Sequence, residues 1–457
     1  MGSHRPTNSG ALPPNSQRVK RPHDGIVLHV PLTNFLSPIC LFASLYYDCA
    51  YFHKRERKAS PMKRKKELLI IFAIIFVNLI GFGIIIPLLP LYAVEFGATE
   101  WQVGLLFASY SVAQLIATPV LGALSDRYGR RPILLLSLLG TVISFVMMAL
   151  ANSLAMLFLA RIVDGISGGN IPTARAYISD ITTREERAGA YGLIGAAFGL
   201  GFILGPVLAG LLANFGLAAP AWGAALLAAI ALVMTFFGLP ESHTERGPMR
   251  IQFPWHDIPE LLRRPVLGKW LVIDLVYWAA AAVYQTTFAL FAAQRFGFGV
   301  KEVGYVLGIV GTIGALVQGG AVRIIARRIG ERRTLAYGLL LGAISLAAAA
   351  FTYHPIIFVA ILVPAAVGQA MAQPALIALL SQSADPREQG RVQGASSALE
   401  SLGRIIGPVW GNSALGWFGG WAAYFSAAVV LFIVGLFVLV RMPATEGAPL
   451  PASSRPS

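Results

Sequence analysis

Charge and thiols are scarce in this chain. Only 13% of its 457 residues are Asp, Glu, Lys or Arg, and 56% are hydrophobic. Soluble domains carry about 25% charge, so a soluble domain is excluded. Two cysteines, Cys40 and Cys49, both precede residue 62. Everything beyond them is without a disulfide, a reactive thiol or a Cys-based metal site. No Gly-rich P-loop motif is present, so ATP is not a direct energy source. The seven His are scattered, and only His354 falls near a span end away from the basic loops. No catalytic constellation forms; neither an enzyme, a cofactor nor a metal is expected. No stretch alternates polar and apolar residues as a membrane β-strand does.

What remains is a series of long apolar runs. With about 20 apolar residues per membrane helix as the yardstick, twelve spans are expected, at 67–92, 101–123, 132–152, 154–176, 188–213, 219–239, 267–292, 302–325, 333–353, 355–381, 392–416 and 420–441. The fold class is therefore an all-α polytopic membrane protein. Residues 1–61 differ from the rest. They are polar and Pro/Ser-containing at first and only weakly apolar later, and read as a disordered extension with no role in the core. Met62-Lys-Arg-Lys-Lys66 resembles a natural start. The divisions are 1–61, a six-helix bundle 62–240, a linker 241–266, a second bundle 267–441 and a tail 442–457.

The net charge of +14 raises nucleic acid as a partner, but the basic residues fall in alternate loops. Lys63 to Lys66, Arg127, Arg130, Arg131, Arg184, Arg187, Arg246, Arg250, Arg263, Arg264, Arg327, Arg328, Arg332, Arg333, Arg387, Arg391 and Arg441 lie on one side; the other side has Arg295, Lys301 and little else. The positive-inside rule makes the first side cytoplasmic, with both termini inside, as an even number of spans requires. The partner is the bilayer, not nucleic acid.

Gly-Ala-Leu-Ser-Asp-Arg-Tyr-Gly-Arg-Arg-Pro at 122–132 is the most charged run for many residues in either direction. Gly129 is expected to supply a positive-φ turn and Pro132 to start the next helix. The alternative is a plain loop that only sets topology. A worn copy, Arg-Arg-Ile-Gly-Glu-Arg-Arg, ends at Arg333. Gly192 and Gly394, Gly205 and Gly407, and Pro206 and Pro408 are each 202 apart. Two homologous halves are the plan of a rocker-type transporter, with substrate bound between them near the midplane.

Two six-span halves plus this loop resemble the major facilitator superfamily over about residues 62–441. Gly122, Leu124, Asp126, Arg127, Gly129, Arg130 and Arg131 fit the family's loop motif. Gly199, Gly201, Gly205, Pro206 and Gly210 in span 5 resemble the glycine-proline motif of its drug/proton antiporters, although glycines alone also serve simple packing. Arg161 and Gly165 fit the span 4 motif. The resemblance implies a part for Arg161 in proton movement, against a structural ion pair. Ile84-Ile-Ile-Pro-Leu-Leu-Pro90, Arg161-Ile-Val-Asp-Gly-Ile166 and Gln393-Gly394 look most like tetracycline-resistance exporters. Two carboxylates of that group are missing, with Asn78 in span 1 and Gly342 in span 9 at those places. Tetracycline itself, and the usual coupling site, are thereby in doubt.

The ionisable residues noted inside the spans are Arg161, Asp164, Asp274, Glu400 and Arg404. Arg161–Asp164 at i, i+3 and Glu400–Arg404 at i, i+4 each share a helix face, as coupling switches or as static pairs. Asp274 is a third coupling candidate, or a partner of Lys269. Asp126 is expected to latch the halves by facing the N-terminal end of span 11. Amides and aromatics in apolar spans line water or bond partners: Asn78, Gln114, Asn170, Tyr277, Tyr284, Gln285, Gln318, Gln369, Gln373 and Trp410 are the candidate cavity residues. Few charges and many aromatics suit large, neutral or cationic amphipathic compounds. The reading is a monomeric antiporter in a prokaryotic plasma membrane that exports such a compound in exchange for protons. The alternatives are a facilitator or symporter for a metabolite such as a sugar, and a non-transporting receptor.

Overall fold

The computed structural model describes residues 61–183, 186–243, 251, 253–385 and 387–442. The extension with both cysteines, the tail from 443, and Arg184, Arg246 and Arg250 lie outside the described residues, as do the side chains of Lys63 to Lys65 and Arg187.

Each expected span is a helix. They are α1 (Pro61–Glu95), α2 (Glu100–Tyr128), α3 (Arg130–Ala149), α4 (Leu154–Ile181), α5 (Arg187–Leu212), α6 (Ala219–Gly238), α7 (Leu267–Phe296), α8 (Val300–Ile329), α9 (Glu331–Ala350), α10 (Pro355–Gln382), α11 (Gln389–Phe418) and α12 (Gly420–Arg441). Eleven are long and apolar enough to cross a membrane; α11 is the exception. It is long enough, at 30 residues, but carries Glu400, Arg404, Asn412 and several Ser and Gly. The residues that make it a functional candidate are those that lower its hydropathy.

Two helices are interrupted. α4 breaks between Leu154–Ile166 and Asn170–Ile181, at Ser167-Gly168-Gly169, where two glycines weaken the helix. Cβ atoms there would crowd Gln114 and Leu121. α8 contains one π turn, Val317–Ala321, around Gly319-Gly320; such bulges are common at functional sites.

The halves are built alike. In the first, α5 packs on α1: a Cβ on Gly205 would lie 2.7 Å from the Gly83 Cα. In the second, α11 packs on α7: a Cβ on Gly407 would lie 2.7 Å from the Ala282 Cβ. The repeated glycines thus make the same close helix approach twice. The turn after α2 and the turn after α8 also match, with Gly129 at φ 107° and ψ 158° and Gly330 at φ 82° and ψ 156°. Both conformations are open to glycine and strained for other residues.

The halves meet at one end. There a Cβ on Gly104 of α2 would lie 2.5 Å from the Pro408 carbonyl of α11, and one on Gly210 of α5 would lie 3.0 Å from the Lys301 carbonyl of α8. Gln294 of α7 donates to the Glu100 carboxylate of α2 at 3.0 Å. Farther along, Gly199 would reach only Ala315, at 3.7 Å, and Gly192, Gly195, Gly314 and Gly394 face open space. The protein is closed at the Glu100 end and open at the Asp126 end. The linker piece Pro254–His256 and Ile258–Leu262 docks on the second half, where Arg391 bonds Asp257 at 2.8 Å and Glu260 at 2.9 Å, and Arg264 bonds Glu388 at 2.6 Å.

Candidate functional site

The charged loop is held by an acid network, only one member of which stands out in the sequence. The Arg130 guanidinium donates to Asp126 at 2.5 Å, to the Ser125 hydroxyl at 2.7 Å and to Asp180 of α4 at 3.2 Å. The Arg130 and Arg131 amides donate to the Glu241 carboxylate at 2.8 and 3.2 Å. Glu241, just past α6, thereby satisfies the free N–H groups of α3 and complements its dipole. Arg131 also donates to the Phe236 carbonyl at 2.5 Å. Arg127 is exposed and stacks on Tyr128. Gly122 leaves open space beside α2. α3 begins at Arg130, two residues earlier than expected, because Glu241 caps it there; Pro132 still falls in the first turn, where no N–H is needed. The expected contact of Asp126 with the start of α11 is not formed. Its side chain is 60% exposed and pairs with Arg130, because the halves stand apart at this end.

Inside the first half, Arg161 donates to Asp164 at 2.7 Å, with side chains 1% and 10% exposed. The guanidinium lies over the Tyr110 ring at 4.2 Å, Ser144 stands near Asp164 while its hydroxyl donates to the Thr141 carbonyl at 2.9 Å, and Gln114 donates to the Tyr110 hydroxyl at 3.0 Å. An aromatic face and a carboxylate together compensate a buried cation. The Arg161 Nε has no partner, nor has either amide atom of buried Asn170.

Inside the second half the charges are less matched. Asp274 is 1% exposed and accepts from the Ser396 hydroxyl at 2.6 Å. Lys269 is not its partner: it is exposed and forms no ion pair with it, since five residues along a helix put the two on different faces. Glu400 and Arg404 are 4.0 Å apart. Arg404 leans instead over Trp278, at 5.2 Å, and Trp278 stands near Glu400. Tyr277 stands near Gln369. The two sets face each other electrostatically: Arg404 acts on Tyr110 across the halves, and Arg175 of α4 acts on Glu400.

Tyr110, Ser144, Trp278 and Ser396 join the site although the sequence reading did not single them out. Arg175 was within reach of it. Arg175 and Arg323 lie inside the expected spans 4 and 8, so the set of internal charges is larger than five. Asn78, Gln285 and Gln373 are half-buried and Gln318 is exposed on the α8 π turn. Trp410 lines a shallow groove with Trp417 towards the Glu100 end, away from the charges. Gly201 and Gly205 pack on α1, while Pro206 and Gly210 meet α8 at the closed end. Among the described residues no group of His, Cys, Asp and Glu could hold a metal.

Two similar six-helix halves, internal charges facing across their boundary and one closed end define a membrane transporter. The sequence matches the Major Facilitator Superfamily model over residues 71–327 and 321–457. It is 35% identical to the tetracycline resistance protein, class C, of Escherichia coli over 76% of this chain and 89% of that protein. It is 31% identical to multidrug resistance protein 2 of Bacillus subtilis (strain 168) over 78% and 90%. The crystal structure of the human organic anion transporter MFSD10 superposes with a TM-score of 0.63 at 26% identity, covering 83% of this chain and all of that one. A bacterial homologue of the human lysosomal transporter Spinster, solved inward-facing, superposes with a TM-score of 0.70 at 17% identity over 83% and 97%. The chain belongs to the major facilitator superfamily, whose members carry small molecules across membranes.

Proposed function

We propose that this protein exports a drug-like amphipathic compound in exchange for protons by alternating access. The observation that carries it is the pairing of an open end with a buried acid, Asp274 of the second half, that has a hydroxyl and no cation within hydrogen-bonding reach. The tetracycline and multidrug resistance relatives support this reading, since removing a drug from the cell is one way to resist it. In this reading the Asp126 end is cytoplasmic, both termini are inside, and the protein works as a monomer in the inner membrane. The structure then stands open to the cytoplasm, ready to take up its load.

Asp126, with Gly122, Arg127, Gly129, Arg130 and Arg131, is the latch. As the open end closes, Asp126 exchanges Arg130 for the start of α11, where a helix N-terminus favours a carboxylate. Arg161, Asp164, Asp274, Glu400 and Arg404 handle the proton. Asp274 leads this set, because no cation within hydrogen-bonding reach offsets its charge. Gly201, Gly205, Pro206 and Gly210 hold α5 close to α1 and α8. Asn78, Gln114, Asn170, Tyr277, Gln285, Gln318 and Gln373 offer polar contacts to the load; Trp410 fits this part least, given its place near the closed end.

The test is tetracycline and ethidium uptake into inverted membrane vesicles from a host stripped of its own exporters. Uptake of at least one compound should follow an imposed pH gradient and stop when that gradient is collapsed. Uptake that survives the collapse would remove the proton from the reading.

A further inference from the structure

The two copies of the charged turn differ in one respect: the first is balanced by acids and the second is not. In the first half the arginines after α2 are held by Asp126, Asp180 and Glu241. The matching turn glycines, Gly129 and Gly330, are 201 apart, and the matching glycine-proline pairs are 202 apart. Positions 201 or 202 beyond those three acids are Arg327 or Arg328, Ser381 or Gln382, and Met442 or Pro443. None of them is an acid. Where the Arg131 amide donates to Glu241, the Arg332 guanidinium donates to the Met442 carbonyl.

Five arginines fall between residues 323 and 333 against one acid, Glu331. Arg323, Arg327, Arg328 and Arg333 are exposed. Among the described residues none of these four forms an ion pair, with Glu331 or with any other carboxylate. The arginines around the linker at the same end differ. Arg264 is tied to Glu260 and Glu388, and Arg391 to Asp257, Glu260 and Glu388. Setting topology requires only that basic residues stand on the right side of the membrane. It does not require them to gather on one helix without counter-charge.

The helix that carries them is also the barest. Only 17% of the apolar stretch of α8 is buried, against 33 to 72% in the other ten apolar spans. Arg323 and Arg327 are one turn apart, as are Ile324 and Arg328, so the four share a face. Ile324 is 57% exposed, and Leu316, two turns further into the span, is 72% exposed. Gly314, Gly319 and Gly320 leave open space beside them. The cationic end of α8 thus runs straight into a bare apolar stripe, roughly 12 Å long from Ile324 to Leu316. Arg323 can lay its stem along the helix and raise its guanidinium to the headgroup level.

We infer that this face of α8 binds an acidic phospholipid from the leaflet at the Asp126 end, with its phosphate on Arg323, Arg327 and Arg328 and an acyl chain along Ile324 and Leu316. Guanidinium groups take phosphate oxygens in bidentate pairs, and a basic cluster at the edge of a span selects anionic headgroups. A free phosphate would leave the apolar stripe unused. A zwitterionic lipid would bring its own cation to the arginines. The bound lipid gives the second half the counter-charge that Asp126, Asp180 and Glu241 give the first.

The probe is dioleoyl phosphatidylglycerol. Dioleoyl phosphatidylcholine offers the same chains under a zwitterionic headgroup, and inorganic phosphate offers the charge without chains. The readout is native mass spectrometry of the purified, delipidated full chain. Phosphatidylglycerol should bind about tenfold tighter than phosphatidylcholine, and excess inorganic phosphate should not displace it. Arg323→Gln, Arg327→Gln and Arg328→Gln together should bring the two lipids level. Lys66→Gln, Arg263→Gln and Lys269→Gln together remove the same charge from exposed positions at the same end, and should keep the preference. An undiminished preference in the first triple variant, or an equal loss in the second, overturns the proposal. Displacement by phosphate overturns the lipid as the source of the charge. If the first triple variant does not insert, Arg327→Gln with Arg328→Gln decides, and an undiminished preference there overturns the proposal equally.

Discussion

In the first half the internal acid Asp164 has a guanidinium at 2.7 Å; in the second, Asp274 has only the Ser396 hydroxyl at 2.6 Å, and Glu400 stands 4.0 Å from Arg404. The same architecture thus holds one closed ion pair and one set of loose charges. A tight buried pair is expensive to break, because removing either partner strands the other. It suits a fixed strut. A buried acid bonded only by a hydroxyl can take up or lose a proton with little rearrangement of its neighbours. Within the export cycle proposed above, this contrast puts Asp274 and Glu400 ahead of the Arg161–Asp164 pair as the place of proton exchange.

The largest test of that contrast replaces the loose acid. Asp274→Asn should bring gradient-driven uptake down to the level of vesicles lacking the protein while leaving insertion unchanged. Unimpaired uptake would move coupling elsewhere, and Glu400→Gln would be the next variant to assay.

The converse test breaks the strut. Arg161→Ala leaves Asp164 buried without its cation and should cost about 3–5 kcal/mol, read from thermal unfolding in detergent. Arg161→Ala with Asp164→Ala should recover much of that loss, since no bare charge remains. A double variant no more stable than the single one would contradict the pairing.

A smaller effect is expected at the closed end. Gly104→Ala sets a methyl group against the Pro408 carbonyl, an overpacking worth about 1–3 kcal/mol. Spin labels on α2 and α11 should then report a shift towards separation at the Glu100 end. Distances identical to the wild type would mean that this contact does not hold the end shut.

The smallest effect concerns the linker, which is outside the spans. Arg391 and then Arg264 hold the Glu260 carboxyl below its ordinary 4.5, and Arg264 does the same to Glu388. A depressed carboxyl contributes to docking above the ordinary value and ceases to as the pH falls through the depressed one. Hydrogen exchange of 257–264 should therefore be flat from pH 7 down to about 5, once corrected for its intrinsic rate, and rise below about 4. Because these groups are exposed, the change should be modest and should shrink in high salt. A transition near pH 6 would contradict the assignment to these carboxyls.

Much of this molecule is written locally. Twelve apolar runs gave twelve helices, since hydropathy and length decide a span. The 202-residue repeat foretold that Gly205 and Gly407 do the same work, and Gly129 and Gly330 share the same turn. What the sequence hid is contact at a distance. Asp274 and Ser396 are 122 residues apart, and nothing in Ala395-Ser396-Ser397 marks one hydroxyl as an acid's partner. Nearest basic neighbours misled: Lys269 lies off the face of Asp274, and Arg404 prefers the Trp278 ring to its own i−4 acid. Glu241 caps α3 from 111 residues away from Arg130. The α4 break was passed over because Ser167-Gly168-Gly169 sits inside an otherwise apolar run. The place of Asp126 depends on which end is open, which no single sequence states.

The most direct measurement is the proton released when tetracycline, or the better substrate from the vesicle screen, binds to the purified protein in weakly buffered solution. Wild type and Asp164→Asn should each release protons on binding, and Asp274→Asn should bind the compound and release none. Equal release from Asp274→Asn and wild type would contradict the assignment of proton exchange to the second half.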